Sequence, residues 1–206
     1  MPNFDRALFG GTSVSGWVLA PRSRRGNTNQ TNDYWNAITT SPFTTAYESI
    51  ATVTVGAGGQ STIEFTGISS AYKHLQIRGS FITSTGPQIN IRVNSDATAN
   101  YSTHRQFGTA GGGVIAGAAA NANNGIFFSN NGSIGNPSLI IDILDYSNAT
   151  TRKTIRGIYG QDTSSPEIGS FSAAWFGTSA ITTVTIIPNS GVISQNSKFA
   201  LYGIRG

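Results

Sequence analysis

The stretch Tyr72–Ile82, YKHLQIRGSFI, decides the fold of this chain. Leu75, Ile77 and Phe81 share one parity, and His74, Gln76 and Arg78 share the other. Successive side chains on a strand point to opposite faces, so this is a strand with one buried and one wet face. No segment of comparable quality repeats with the period of a helix. The alternation recurs in QINIRVN (88–94), where Ile89, Ile91 and Val93 are expected inside and Asn90, Arg92 and Asn94 outside. Upstream, IATVTV (50–55) and STIEFTGI (61–68) flank GAGGQ, a glycine turn of hairpin length. Downstream, strand signals continue in SLIIDILDY (138–146), RKTIRGIYGQ (152–161), SFSAAWF (170–176), ITTVTIIP (181–188) and KFALYGI (198–204). Their β-branched and aromatic content agrees with this reading. A Gly-, Ala- and Asn-rich interruption runs from 95 to 137, with IFFS (126–129) as one further short strand. About eight to ten strands joined by turn signals predict an all-β fold, an antiparallel β-sandwich of jelly-roll type.

Composition narrows what such a sandwich can do. Charged residues make up 11% of the 206, against about 25% in an ordinary globular protein. Solubility then rests on Ser, Thr, Asn, Gln and backbone, a surface suited to contacts that salt does not screen. The net charge of +4 is thinly spread, its one cluster being Arg22, Arg24 and Arg25. Nucleic-acid binding calls for a longer basic stripe interleaved with aromatics, so no nucleic-acid partner is expected. There is no cysteine, which removes disulfides and thiolate metal sites. The first residues lack the charged and apolar regions of a secretion signal, and no apolar run is long enough to span a membrane.

Two segments are expected, an extended N-terminal arm at 1–48 and the sandwich at 49–206. The arm sustains no strand or helix period and holds only short apolar clusters, too little to offset its conformational entropy alone. It nevertheless carries two of the chain's three tryptophans. Aromatics dominate interface energetics, so the arm reads as a segment that orders on a partner, the alternative being a tail folded back on its own domain. Phe4, Leu8, Phe9, Trp17, Val18 and Trp35 would fill apolar recesses there, and Arg22, Arg24 and Arg25 would pair with carboxylates, adding orientation.

Candidate chemistry is sparse. His74 lies on the outward parity of its strand; His104 reads as a loop histidine bonded to neighbours such as Asp96 and Tyr101. No G-x-S-x-G elbow supplies a nucleophile. Asp142 and Asp145 are three apart, on opposite faces of a regular strand, and cannot flank one substrate bond. Asp145 is better placed to set the turn that follows it. No metal-ligand spacing or phosphate loop is present, so neither catalytic residue nor cofactor is expected. Sugar binding is the remaining alternative, with Tyr101, Tyr146, Tyr159 and Trp175 as candidate platforms beside polar residues.

YKHLQIRGS (72–80), VNSD (93–96) followed by Asn100-Tyr101 and His104, IIDILDY (140–146), RKTIRGIYG (152–160) and KFALYGIRG (198–206) occur in this order. As an ordered set, across about residues 47 to 206, they resemble a family of small β-sandwich structural proteins of tailed bacteriophages. The family occurs alone or as the last domain of tail-associated proteins. The resemblance implies a non-enzymatic virion component and no catalytic residues; it does not include the arm. A fibre needs a coiled coil or a repeat array, and the sequence has neither. One sandwich with an arm fits a capsid decoration, or cement, protein on the outer surface of the virion. It would be a homotrimer held to the major capsid protein or another virion protein. The alternative is a tail-fibre or tail-associated protein that binds a host receptor or glycan.

Overall fold

The computed structural model describes residues 46–85, 88–109, 111–122, 125–128, 137–161 and 166–206. The chain divides after Thr44, and every described residue belongs to the second unit, Thr45–Gly206. The expected arm residues Phe4, Leu8, Phe9, Trp17, Val18, Arg22, Arg24, Arg25 and Trp35 lie outside the described residues.

Twelve strands and no helix are found among the described residues. They are β1 (Tyr47–Thr54), β2 (Ile63–Phe65), β3 (His74–Ser80), β4 (Ile89–Val93), β5 (Tyr101–Thr109) and β6 (Val114–Ala122). After them come β7 (Ile126–Phe128), β8 (Ser138–Leu144), β9 (Lys153–Gln161), β10 (Glu167–Trp175), β11 (Val184–Pro188) and β12 (Lys198–Ile204). All pairings are antiparallel. The large sheet has the order β1-β12-β3-β8-β9-β10-β5-β6, and the small one β2-β11-β4-β7. The predicted antiparallel sandwich is therefore the observed fold. A simple jelly roll uses eight strands; here the layers are unequal, eight strands against four.

The core lies between the sheets and follows the parity read from sequence. Leu75, Ile77, Ile141, Ile143, Ile155, Phe171, Phe199 and Leu201 point inward from the large sheet, meeting Ile63, Ile89, Ile91, Val93, Val184 and Ile186 from the small one. Glycine recurs beside aromatics on this inner face. Gly79 is paired with Phe199, Gly157 with Phe171 and Gly169 with Tyr159. A Cβ on any of the three would lie within 2.7 Å of the partner ring, so the ring fills the space a side chain would need.

Three local expectations change. GAGGQ does not close a hairpin, because β1 pairs with β12 and β2 with β11, in different sheets. The turn instead carries the chain from one layer to the other. Gly59, at φ 74°, packs where a Cβ would sit 2.8 Å from the Ile193 carbonyl oxygen. The interruption at 95–137 supplies β5, β6 and β7, so most of its described residues are sheet. Asn90 lies on the predicted outward parity of β4 yet is buried.

Candidate functional site: the outer face and free edge of the large sheet

The register of the large sheet lines side chains into rows that run across all eight strands. One row is Thr52, Ala200, Arg78, Ile140, Ile158, Ser170, Gln106 and Ala116. The next is Ser49, Tyr202, Gln76, Asp142, Arg156, Ser172, His104 and Ala118. On the other side lies Thr54, Lys198, Ser80, Ser138, Gly160, Ile168, Gly108 and Val114. These residues alternate with the core set, so they form the face turned away from the small sheet. Two open depressions of about 810 and 1130 Å³ lie on this face. Gln106, Ile140, Ile158 and Ser170 line both, which makes them one trough.

A hydrogen-bonded network occupies the β1–β9 side of the trough. The Tyr47 and Tyr202 rings stack at 4.7 Å, with the Arg78 guanidinium 5.4 and 5.8 Å from their centroids. The Tyr47 hydroxyl donates to Gln76 Oε1 at 2.7 Å, and Arg78 Nε donates to the same oxygen at 2.8 Å. Desolvation raises the Tyr47 pKa more than nearby Arg78 lowers it, so the hydroxyl keeps its proton at neutral pH. Gln76 Nε2 then donates to Asp142 Oδ1 at 2.8 Å, while Arg156 Nε lies 3.5 Å from Asp142 Oδ2. Ser172 and His104 continue the row, both exposed.

The other end of the face is apolar. Val114 is 78% exposed and Ile168 77%, with Ile158, 58% exposed, at the middle of the face on β9; Ile115, 48% exposed, pairs with Phe107 and so turns to the opposite face. Val114 and Ile168 stand in one row with Gly108 between them. The strand that carries Val114, β6, is the last of the sheet, bonded only to β5 among the described residues. Its sequence, VIAGAAANA, contains no charge and no proline. Edge strands are ordinarily protected from pairing by charges, prolines or bulges, and β6 carries neither of the first two.

The four aromatics offered as sugar platforms are corrected by their burial. Tyr101, Tyr146, Tyr159 and Trp175 are each at most 4% exposed, so none can stack on a ligand. Their polar atoms are committed inside. Tyr101 Oη donates to the Asp96 carbonyl at 3.0 Å and accepts the Val93 N–H at 3.2 Å, and burial pushes its pKa up to about 12. Tyr146 donates to the Ser69 carbonyl and Tyr159 to Glu167 Oε1. Trp175 Nε1 donates to Asp96 Oδ2 at 2.7 Å.

The acids and histidines have local structural partners or stand apart. Asp96 also accepts from the Thr98 N–H and Oγ1 and from Asn100 Nδ2. Desolvation raises its pKa, but these hydrogen bonds together outweigh it and hold the carboxyl well below the usual carboxylate range. Asp145 sits in the left-handed region (φ 49°), bridges to Lys73 at 2.6 Å and accepts from Asn148 Nδ2, as the turn reading expects. His74 Nδ1 accepts the Asp145 N–H at 2.9 Å. His104 is on β5, not in a loop, and is exposed, paired across the sheet with Ser172. Among the described residues no group of three or more His, Asp or Glu is arranged to hold a metal.

Sequence reasoning missed Tyr47, Gln76 and Tyr202 as one constellation. The parity rule applied to KFALYGI sets Tyr202 opposite Phe199 and Leu201, a signal that was legible. Tyr47 fell inside the segment assigned to the arm, whereas β1 begins there. No protein-family model matches this chain, and no curated protein sequence matches it.

Proposed function

We propose that this chain is a non-enzymatic structural protein of a tailed-bacteriophage virion, a capsid decoration protein that self-associates through its sandwich and attaches through its N-terminal segment. The observation that carries the reading is the uncharged β6 edge with the exposed Val114 on it and the exposed Ile168 in the same row. An edge without charge or proline, its one register irregularity lying at the far end opposite Tyr101–Thr103, continuous with an apolar patch fits an assembly surface, since both features are liabilities on a protein that works alone. The ordered resemblance of residues 47 to 206 to phage sandwich proteins supports the same reading. A homotrimer needs one patch on each subunit to meet a different patch on the next, and the rotation must close. The β6 edge supplies one such patch. Phe4, Leu8, Phe9, Trp17, Val18 and Trp35, with Arg22, Arg24 and Arg25, supply the attachment to the major capsid protein.

The test is the copy number of the chain per purified particle, by quantitative mass spectrometry against the major capsid protein. A ratio near parity, or another large fixed fraction, is expected. A copy number as low as that of tail components would refute the decoration reading and place the protein on the tail. Replacing Trp17 and Trp35 together with alanine is expected to abolish attachment and leave the sandwich folded.

A further inference from the structure

We propose that the polar half of the outer trough is a binding site for a carboxylate-bearing polysaccharide, gripped by Arg78 and Arg156. The inference goes beyond the assembly role and stands wherever on a virion the protein resides. It starts from how the two arginines are held. Each spends its Nε on an internal acceptor, Arg78 on Gln76 and Arg156 towards Asp142. The terminal amino groups of both have no hydrogen-bond or ion-pair partner among the described residues, although the Arg78 guanidinium also lies against the Tyr47 and Tyr202 rings. The Arg156 side chain is 60% exposed, and Arg78 is likewise exposed. A guanidinium anchored through Nε has lost much of its rotamer freedom, and its two terminal nitrogens are the pair that bind a carboxylate bidentately.

Charge sets the sign of the ligand. On the three rows of this face Arg78, Arg156 and Lys198 are opposed by Asp142 alone, three positive charges against one negative, or +2. Spacing and floor set its class. Arg78 and Arg156 are two strands and one row apart, roughly 10 Å across the sheet and 7 Å along it. Between and beyond them stand neutral hydrogen-bonding groups, Ser170, Ser172, Gln106 and His104, with Ile140 and Ile158 beneath. A peptide would seek a side-chain pocket or a strand edge, and this region is an open trough at the centre of a sheet. A ligand with widely spaced carboxylates, many hydroxyls and flat C–H faces matches all three features. The stacked Tyr47–Tyr202 pair closes one end and holds Gln76, and through it Arg78, in place.

The test is affinity electrophoresis of the full chain through gels containing polygalacturonate, dextran or poly-L-glutamate, with calorimetry on any retarding polymer. Polygalacturonate is expected to retard the protein, dextran and polyglutamate are not, and added salt should weaken the effect. The double variant Arg78→Gln/Arg156→Gln is expected to lose at least about tenfold in affinity. Its thermal midpoint should stay within about 4 °C of the parent, because both side chains are exposed and their contacts weak. Three results would overturn the proposal: no retardation by polygalacturonate, equal retardation by dextran, or a double variant that binds like the parent. Tighter binding of polyglutamate would also overturn it, in favour of an acidic protein partner.

Discussion

Asp96→Asn gives the sharpest test of how the β4–β5 corner is built. The carboxylate takes four hydrogen bonds: the Thr98 N–H at 2.9 Å and Oγ1 at 2.5 Å on Oδ1, and Asn100 Nδ2 at 2.9 Å and Trp175 Nε1 at 2.7 Å on Oδ2. An amide has one accepting oxygen, so either the Thr98 N–H or the Trp175 N–H must face an NH2 group. The Thr98 hydroxyl and the Asn100 amide can turn to adapt, but those two N–H groups cannot. Trp175 is 4% exposed, and orphaning a buried donor costs about 1–3 kcal/mol. The surviving bonds lose their charge assistance, and because Asp96 is half-buried that loss is discounted. The sum is about 2–3 kcal/mol, or roughly 4–12 °C in Tm for a domain of this size. Urea unfolding followed by far-ultraviolet circular dichroism should show a lower midpoint at unchanged slope. The pH dependence gives an independent sign. The folded carboxyl titrates below its ordinary value of 3.8, so its contribution is complete above that pH and is lost as pH falls through the folded pKa. The gap between parent and variant should therefore narrow below about pH 4. A variant within about 0.5 kcal/mol of the parent, or a gap constant from pH 6 to pH 2, would refute the reasoning.

Three further outcomes follow from packing. Lys153 is 1% exposed, and its ammonium donates to the carbonyls of Asn148, Thr151 and Thr178; Lys153→Met should orphan all three and cost about 2–4 kcal/mol by urea titration. Gly157→Val should cost about 3 kcal/mol or more, since a Cβ there lies 2.7 Å from both the Ile140 carbonyl oxygen and the Phe171 ring. The control Gly108→Val, with nothing within 4 Å, should stay within about 0.5 kcal/mol of the parent by the same titration. Val114→Lys should convert the native oligomer to monomer by light scattering with the thermal midpoint of the sandwich retained, and a parent that is itself monomeric at micromolar concentration would remove the β6 edge from the assembly reading.

The strands that sequence revealed are those whose two faces differ most in chemistry. Leu75 and Ile77 against Gln76 and Arg78 show directly which side is inside. β5 hides because its inward positions are Tyr101, Thr103, Arg105 and Phe107, two of them polar, and β6 hides because alanine and glycine carry almost no contrast. Layer assignment was illegible for another reason. GAGGQ has the length of a hairpin turn, but β1 and β2 find their partners in β12 and β11, more than a hundred residues away. A local signal cannot express a choice settled by distant competitors. Two of the sugar-platform aromatics failed similarly: a Tyr or Trp whose polar tip finds an internal acceptor is held inside, and for Tyr146 and Trp175 that acceptor, Ser69 or Asp96, comes from elsewhere in the chain.

What folding does not explain is where function is most economically sought. Asp96, Asp145, His74 and Lys153 are each tied to named partners that close a turn or join two strands, so their chemistry is already committed to the scaffold. The outer face of the large sheet is different. Val114 and Ile168 are more than three-quarters exposed and contribute little to the core, while Arg78 donates through Nε to Gln76, Arg156 pairs through Nε with Asp142 at 3.5 Å, and the terminal nitrogens of both meet no acceptor among the described residues. Exposed isoleucine carries a solubility cost, and a fixed arginine an entropic one. Neither cost returns stability to an isolated sandwich. The two features occupy opposite ends of one trough, so assembly at the β6 edge would leave the arginine end open to solvent. Val114→Lys and Arg78→Gln/Arg156→Gln should then separate cleanly: the first loses oligomer and keeps polygalacturonate binding, the second does the reverse. Loss of both properties in either variant would show that the trough acts as one surface.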